Sequence, residues 1–302
     1  MNKLFYLAWW YFQVRFLKKQ KPLQTVLFIN NECNLRCKHC CIDKESVSIS
    51  KSFDQIKDEL CYSYNLGSRF VDFEGGEPTI WCDGEKNIND LIALAKQIGF
   101  FSTTVTTNAQ KDFTWLKADS VWVSIDGFEK YHDLVRGEGS FNKAVENIEK
   151  YGQSGKKGLS VNMVINKLNA SSVVQTIKFA KENPYIRSIS LNFHMPYFGT
   201  ESLCADNRID IINKIIEMKK QGYPIMNTFG GLKSLKFSQK PDYCWITNFI
   251  MPDGQKEPMC QGVKNNLCEI CGLGMATEMK NLYTFNLETI FAGIKLRLLK
   301  NK

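Results

Sequence analysis

A chain of 302 residues, 44% hydrophobic and 23% charged with 8 prolines, is long enough to bury one large α/β core or two modest domains, and its composition excludes disorder on a large scale. Its 11 cysteines are clustered, and no secretory signal accompanies them, which excludes a disulfide framework and points to reduced thiols, metal binding and a cytoplasmic setting. The net charge of +8 lies wholly in the two ends: Lys3, Arg15, Lys18, Lys19 and Lys21 without an acid in residues 1–31, and Lys295, Arg297, Lys300 and Lys302 against Glu288 in residues 281–302. The body between them is neutral, so no nucleic-acid partner is expected.

Leu4–Lys21, LFYLAWWYFQVRFLKKQK, is helical in length and crowded with aromatics. Its unbroken apolar run, Leu4–Phe12, falls well short of the roughly 20 residues that span a bilayer. Its lysines follow the apolar stretch rather than precede it, so it is not expected to be a signal peptide. Residues 1–23 are read as a basic amphipathic helix suited to an anionic membrane surface, which implies a peripheral membrane location on the cytoplasmic side. Strands follow at 24–30, 69–73, 101–107, 120–125, 159–165 and 187–193. Helices are predicted at 52–66, 87–99, 112–117, 141–152, 171–183 and 206–221. Six βα units argue for a parallel sheet with helices outside, and for functional groups at the C-terminal strand ends. Periodicity leaves open whether that sheet is flat or curled. The core is assigned to 24–226, a small appended Cys-rich unit to 227–280, and a second basic amphipathic helix to 281–302, with Leu287, Ile290, Phe291, Ile294 and Leu298 at helical spacing.

Cys33, Cys37 and Cys40 form C-x3-C-x2-C just after the first strand. Three thiolates in one short loop suit three corners of a [4Fe–4S] cube and leave one iron open to a small molecule; a zinc loop is the alternative. Cys41 is adjacent to Cys40 and is expected to point away.

With His39 just before its last cysteine, this loop resembles the signature of the radical SAM superfamily. Glu74–Ile80, EGGEPTI, resembles the family's GGEP stretch, and Thr106–Ala109, TTNA, resembles its TNG. Val123–Ile148 is similar to the same stretch in SPASM-type members and in the molybdopterin-precursor cyclase. The resemblance covers about residues 24–195 and implies a partial (β/α)6 barrel. S-adenosylmethionine would chelate the open iron, and its reductive cleavage would give a 5′-deoxyadenosyl radical that takes hydrogen from a substrate. Gly75, Gly76 and Glu77 would hold its amino group, Thr107 and Asn108 would lie near the ribose, and Ser124 and Arg136 would contact the methionine part. Asp126 is a candidate acid or base, or a turn residue before Gly127. The resemblance also implies an electron donor such as flavodoxin or ferredoxin.

Cys244, Cys260, Cys268 and Cys271 read C-x15-C-x7-C-x2-C. Four thiolates complete either a [4Fe–4S] cluster or a zinc site. In the family context they look like a shortened SPASM or twitch region with one auxiliary cluster. Cys61, Cys82 and Cys204 are expected to be ordinary thiols, and His132 and His194 structural histidines. The substrate is expected to be lipid-associated, because of the apolar basic ends. The alternatives are a peptide- or protein-modifying maturase, or a non-catalytic iron–sulfur or zinc scaffold.

Overall fold

The structure is a computed structural model that describes residues 3–42, 47–156, 158–197, 205–237 and 240–297. Six parallel strands form its centre, in the order β1 (Gln24–Phe28), β2 (Phe70–Glu74), β5 (Ser102–Thr107), β6 (Ser120–Ser124), β7 (Leu159–Ile165) and β8 (Ile186–Phe193). A small hairpin, β3 (Cys82–Asp83) with β4 (Lys86–Asn87), stands outside this sheet. Helices α2 (Phe53–Leu66), α3 (Ile88–Ile98), α5 (Ser140–Gln153), α6 (Val173–Glu182) and α7 (Ala205–Lys220) fill the crossovers. Ser52 caps α2 through a 3.2 Å bond from the Gln55 N–H, and Gly67 ends it at φ 124°, a conformation that favours glycine.

Alternation along the strands explains the curl. Leu27, Val71, Phe73, Val105, Val123, Val161 and Leu191 are fully buried with Ile56, Leu60, Leu91, Ile148, Ile177 and Ile215 of the helices. The alternate positions carry Gln24, Asp72, Thr104, Ser124, Asn162 and Asn192, which line the concave face. An outer apolar face under helices and an inner face that is polar except for Val26 and Phe28 of β1 define a partial (β/α)6 barrel.

Three elements differ from the sequence expectation. The β5–β6 crossover forms no helix at 112–117: the Asp112 carboxylate accepts from the Thr114 N–H at 2.9 Å, and the Asp112 carbonyl accepts from the Trp115 indole, fixing a turn instead. A short helix, α4 (Lys130–Arg136), follows β6. Residues 227–280, expected as a small appended unit, give a strand to the main sheet: β9 (Thr247–Ile250) pairs parallel with β1, and β10 (Lys256–Glu257) folds back on β9. Around them lie α8 (Phe229–Ser234), α9 (Gln261–Lys264) and α10 (Gly274–Tyr283). The Gly272 carbonyl accepts from the Phe193 N–H at 2.8 Å, and Asn192 accepts from the Gly274 N–H at 2.8 Å, so the chain entering α10 is tied to the outer edge of β8, beyond the bridge that Ile225 makes with Ile189. The terminal helices are α1 (Lys3–Arg15) and α11 (Leu287–Arg297). Cys204, Leu298, Lys300 and Lys302 lie outside the described residues.

Candidate radical SAM active site

The loop after β1 and the loop after β2 zip together where the strands end. The Gly76 N–H donates to the Asn30 carbonyl at 3.0 Å, and the Glu77 N–H to the Glu32 carbonyl at 2.7 Å. Side chains have no room here: a Cβ on Gly75 would stand 2.3 Å from Asn30 Oδ1, and one on Gly76 would stand 2.0 Å from the Glu32 carbonyl oxygen. The glycines bring the GGEP backbone flush against the cysteine loop, as a ligand-cradling backbone requires.

Glu77 locks the next strand to this pair. Its carboxylate is 1% exposed and accepts four bonds: from the Thr79 N–H at 3.1 Å, the Thr79 hydroxyl at 2.6 Å, the Thr107 hydroxyl at 2.7 Å and the Asn108 N–H at 2.7 Å. Burial pushes this carboxyl up, and the four donors oppose that rise. With all four engaged, the Glu77 side chain acts as a positioning group; any hold on an amino group there falls to the backbone. Asn108 in turn donates to Asn34 at 2.7 Å and approaches Cys33 Sγ at 3.6 Å. Ala109 holds φ 57° where the motif it resembles has glycine, and Asn147 donates to its carbonyl at 2.8 Å.

The third wall is built on a buried charge. Asp126 is 0% exposed and accepts from Arg136 Nε at 2.5 Å and from the Val164 N–H at 2.8 Å, with His39 Nε2 at 3.2 Å. Burial alone would raise its carboxyl, but Arg136 and His39 hold it below the usual carboxylate range. An ionised, triply engaged Asp126 is an anchor rather than an acid or base. It aims Arg136, whose other guanidinium end stands 3.8 Å from Cys37 Sγ. His132 accepts from the Asp126 N–H at 3.1 Å, and burial together with Arg136 drives its pKa down to about 3, so it serves as a neutral structural histidine. His194 packs edge-on to His39 with ring centroids 6.1 Å apart. Ser124 ends β6 beside β5, where Val123 pairs with Thr107.

The sulfur environment fits a cluster. Leu35 N–H faces Cys33 Sγ at 3.4 Å and Ile42 N–H faces Cys40 Sγ at 3.4 Å, in addition to Asn108 on Cys33 and Arg136 on Cys37. Backbone and amide donors on Cys33 and Cys40 and a guanidinium on Cys37 suit thiolate ligands of an electron-accepting centre. Among the described residues no three His, Cys, Asp or Glu side chains converge on a single-ion site.

The second thiol group flanks the first across a shared apolar cluster. Val26, Phe28, Ile42, Phe249 and Cys260 form it, with Cys40 and Leu273 packed against them. Cys244 and Cys260 are hydrogen-bonded; that bond favours the thiolate at Cys260 and disfavours it at Cys244. Cys271 is pushed up to about 11, chiefly by burial.

Along β2 and β5–β8 the barrel interior is lined by polar side chains, while Val26 and Phe28 of β1 make its β1 side apolar. Glu74, Thr106, Trp122, Asn162, Ser190 and Asn192 face inward and are half-buried, although every outward neighbour on these strands is buried. Asn192 donates to Asn162 at 2.7 Å, and Thr106 approaches Glu74 at 3.5 Å. Burial, then the charge of Asp72, raises Glu74 to about 7. In the sequence Glu74 is the residue that precedes the glycines. The period-two alternation of β2 was the signal that places it inside.

The geometry agrees with the comparisons. Residues 27–180 match the family model described as the radical SAM superfamily, and the chain belongs to that superfamily. It is 26% identical over 182 residues to a probable GTP 3′,8-cyclase of Sulfolobus acidocaldarius, covering 58% of this chain and 57% of that protein. It is 29% identical over 147 residues to the mycofactocin maturase MftC of Mycobacterium tuberculosis, covering 47% of this chain and 37% of the maturase. The chain thus spans less than two thirds of the length of these curated relatives. Among solved structures, Streptococcus suis SuiB bound to its precursor peptide SuiA superposes with a TM-score of 0.65 at 17% identity, covering 97% of this chain and 72% of that one. The anSMEcpe structure with bound AdoMet and the Cp18Cys peptide gives 0.61 at 18%, covering 92% and 84%. At these identities the likeness is one of fold, and it makes the chain an α/β radical SAM barrel with C-terminal cysteines.

Proposed function

We propose that this radical SAM enzyme acts on a polar substrate, a side chain of a peptide or protein, admitted into the barrel interior beneath the cysteine loop. The polar interior carries the reading. An acyl chain would strip water from the half-buried Glu74, Asn162, Ser190 and Asn192 and offer them no hydrogen bond in exchange, which is unfavourable. The structures of SuiB with SuiA and of anSMEcpe with a peptide lend support, since both hold peptides on this fold. The lipid-substrate reading rested on the terminal helices, and α1 lies at the other end of the barrel.

A [4Fe–4S] cluster held by Cys33, Cys37 and Cys40 would supply the electron that cleaves S-adenosylmethionine to methionine and a 5′-deoxyadenosyl radical. The residues of this chain do the rest. The Gly75–Gly76 backbone would cradle the amino group, and Arg136, aimed by Asp126, would meet the carboxylate. Thr107 and Asn108 would border the ribose, and Ser124 the methionine part. Cys244, Cys260, Cys268 and Cys271 would hold an auxiliary iron–sulfur cluster, with a zinc ion as the alternative for the same four thiolates. A one-electron donor such as flavodoxin or ferredoxin would reduce the enzyme.

The test is 5′-deoxyadenosine release from the anaerobically loaded enzyme in the presence of a random peptide pool, and separately of a total lipid extract. Stimulation by peptides and not by lipid is expected. Stimulation by lipid alone would sink the reading.

A further inference from the structure

Helix α1 closes the barrel floor with one face. Tyr6, Trp10 and Val14 are buried against Leu23, Phe70 and Ile246. The Tyr6 hydroxyl donates to the Gly67 carbonyl at 2.5 Å, Lys3 donates to the Phe101 carbonyl at 3.0 Å, and the Trp10 indole donates to the Lys21 carbonyl at 2.8 Å. Gly67, Leu23, Phe101 and Ile246 all lie just before the start of β2, β1, β5 or β9. The cysteine loop, the GGEP turn and Asn108 all lie at the opposite strand ends, about 17–20 Å away across five- or six-residue strands.

The other face of α1 is apolar too and is covered by nothing among the described residues. Phe5, Trp9, Phe12 and Phe16 recur at helical spacing and are 64%, 46%, 42% and 65% exposed. Trp9 stacks on Phe12 with centroids 5.4 Å apart, and Phe12 meets Phe16 at 5.4 Å, so the rings form one ridge. Tyr11, beside the ridge, contacts Phe285 at 5.3 Å, and Phe285 is itself 58% exposed. A ridge of this kind marks an interaction surface.

Charge identifies the occupant. Residues 1–31 carry Lys3, Arg15, Lys18, Lys19 and Lys21 and no acid. A two-fold contact between copies would set these cations against one another, because an isologous interface places the same patch on both sides. Lys3 and Lys21 are turned to Phe101 and Gln13, while Arg15, Lys18 and Lys19 are exposed next to Phe16, and a bilayer bearing anionic headgroups takes both the aromatic ridge and these three cations. We infer that α1 docks the enzyme on an anionic membrane surface through Phe5, Trp9, Phe12 and Phe16, with the barrel mouth turned away from the lipid. The helix then attaches the enzyme without feeding it: the substrate reaches the mouth from the aqueous side or from a partner on the same membrane. This inference does not depend on the identity of the substrate.

The test is flotation of the full, cluster-loaded chain with vesicles of phosphatidylcholine alone and of phosphatidylcholine mixed equally with phosphatidylglycerol. Expected is co-flotation with the anionic vesicles and a drop of roughly tenfold or more in vesicle partitioning for the Trp9→Ser, Phe12→Ser double variant. These residues are exposed and remote from the cluster, so basal 5′-deoxyadenosine release should be unchanged. A Lys18→Glu, Lys19→Glu variant should lose its preference for anionic vesicles. The inference is overturned by a protein that stays in solution with both vesicle types, by flotation indifferent to the ridge variant, or by sedimentation showing a dimer that the ridge variant dissociates.

Discussion

Replacing Glu77 by glutamine exchanges one acceptor oxygen for an amide that donates. Three donors converge on one carboxylate oxygen, from Thr79 N–H, the Thr79 hydroxyl and the Thr107 hydroxyl, while the Asn108 N–H takes the other at 2.7 Å. The best orientation keeps the glutamine oxygen on the triple side and sets its NH2 against the Asn108 N–H. That sets two buried donors, the glutamine NH2 and the Asn108 N–H, against each other without an acceptor, at about 1–3 kcal/mol for each group left unpaired. The three surviving bonds also lose their charge assistance. A loss of about 2–4 kcal/mol is expected, measured by urea unfolding of the apo-protein under anaerobic conditions. Because Asn108 also reaches Asn34 and Cys33, the variant should retain less iron after reconstitution than the parent. A change within about 0.5 kcal/mol, a typical surface value, would refute the assignment of Glu77 as the knot between the two loops.

Gly76→Ala should shift the cysteine loop and abolish measurable S-adenosylmethionine binding by calorimetry, since its Cβ would stand 2.0 Å from the Glu32 backbone oxygen. Asp126→Asn leaves Arg136 without its buried partner and should cost about 3–5 kcal/mol in the same urea assay. In the parent, the depressed Asp126 carboxyl contributes stability that is present above about pH 4 and is lost as pH falls through its folded value. Glu74 has the opposite sign: its folded value of about 7 lies above the unfolded one. Stability it confers is present below about pH 4.5 and is lost as pH rises to about 7, on the order of 2–3 kcal/mol. Unfolding curves of Glu74→Gln from pH 5 to 8 should lack that decline; an unchanged slope would count against the burial of this carboxyl.

The barrel and its cysteine loop were legible because their signals are local. Cys33, Cys37 and Cys40 lie within one loop, and the strand pattern at β1, β2, β5, β6, β7 and β8 alternates over five to eight residues. What stayed hidden depends on contacts across long stretches of sequence. The pairing of β9 with β1 joins Thr247 to Gln24, and no period announces it. Asp126 read as an acid, a base or a turn residue until Arg136, His39 and Val164 were seen to surround it. The predicted helix at 112–117 failed because the apolar Phe113 and Leu116, both buried, mimic helical spacing while Asp112 ties a turn. Helix α1 is apolar on nearly every side rather than amphipathic, and apart from Lys3 its cations gather beyond Val14. Only the structure separates the face that plugs the barrel from the face that is exposed.

The central claim is that Cys33, Cys37 and Cys40 hold the cluster that cleaves S-adenosylmethionine. Its most direct test is 5′-deoxyadenosine release by the anaerobically reconstituted protein with dithionite, alongside Cys37→Ala and Cys268→Ala. The parent should release 5′-deoxyadenosine and methionine together, Cys37→Ala should release neither, and Cys268→Ala should lose iron without losing the iron held by the first loop. Release that persists in Cys37→Ala, or a fully loaded parent that releases none even with peptide present, would contradict the account.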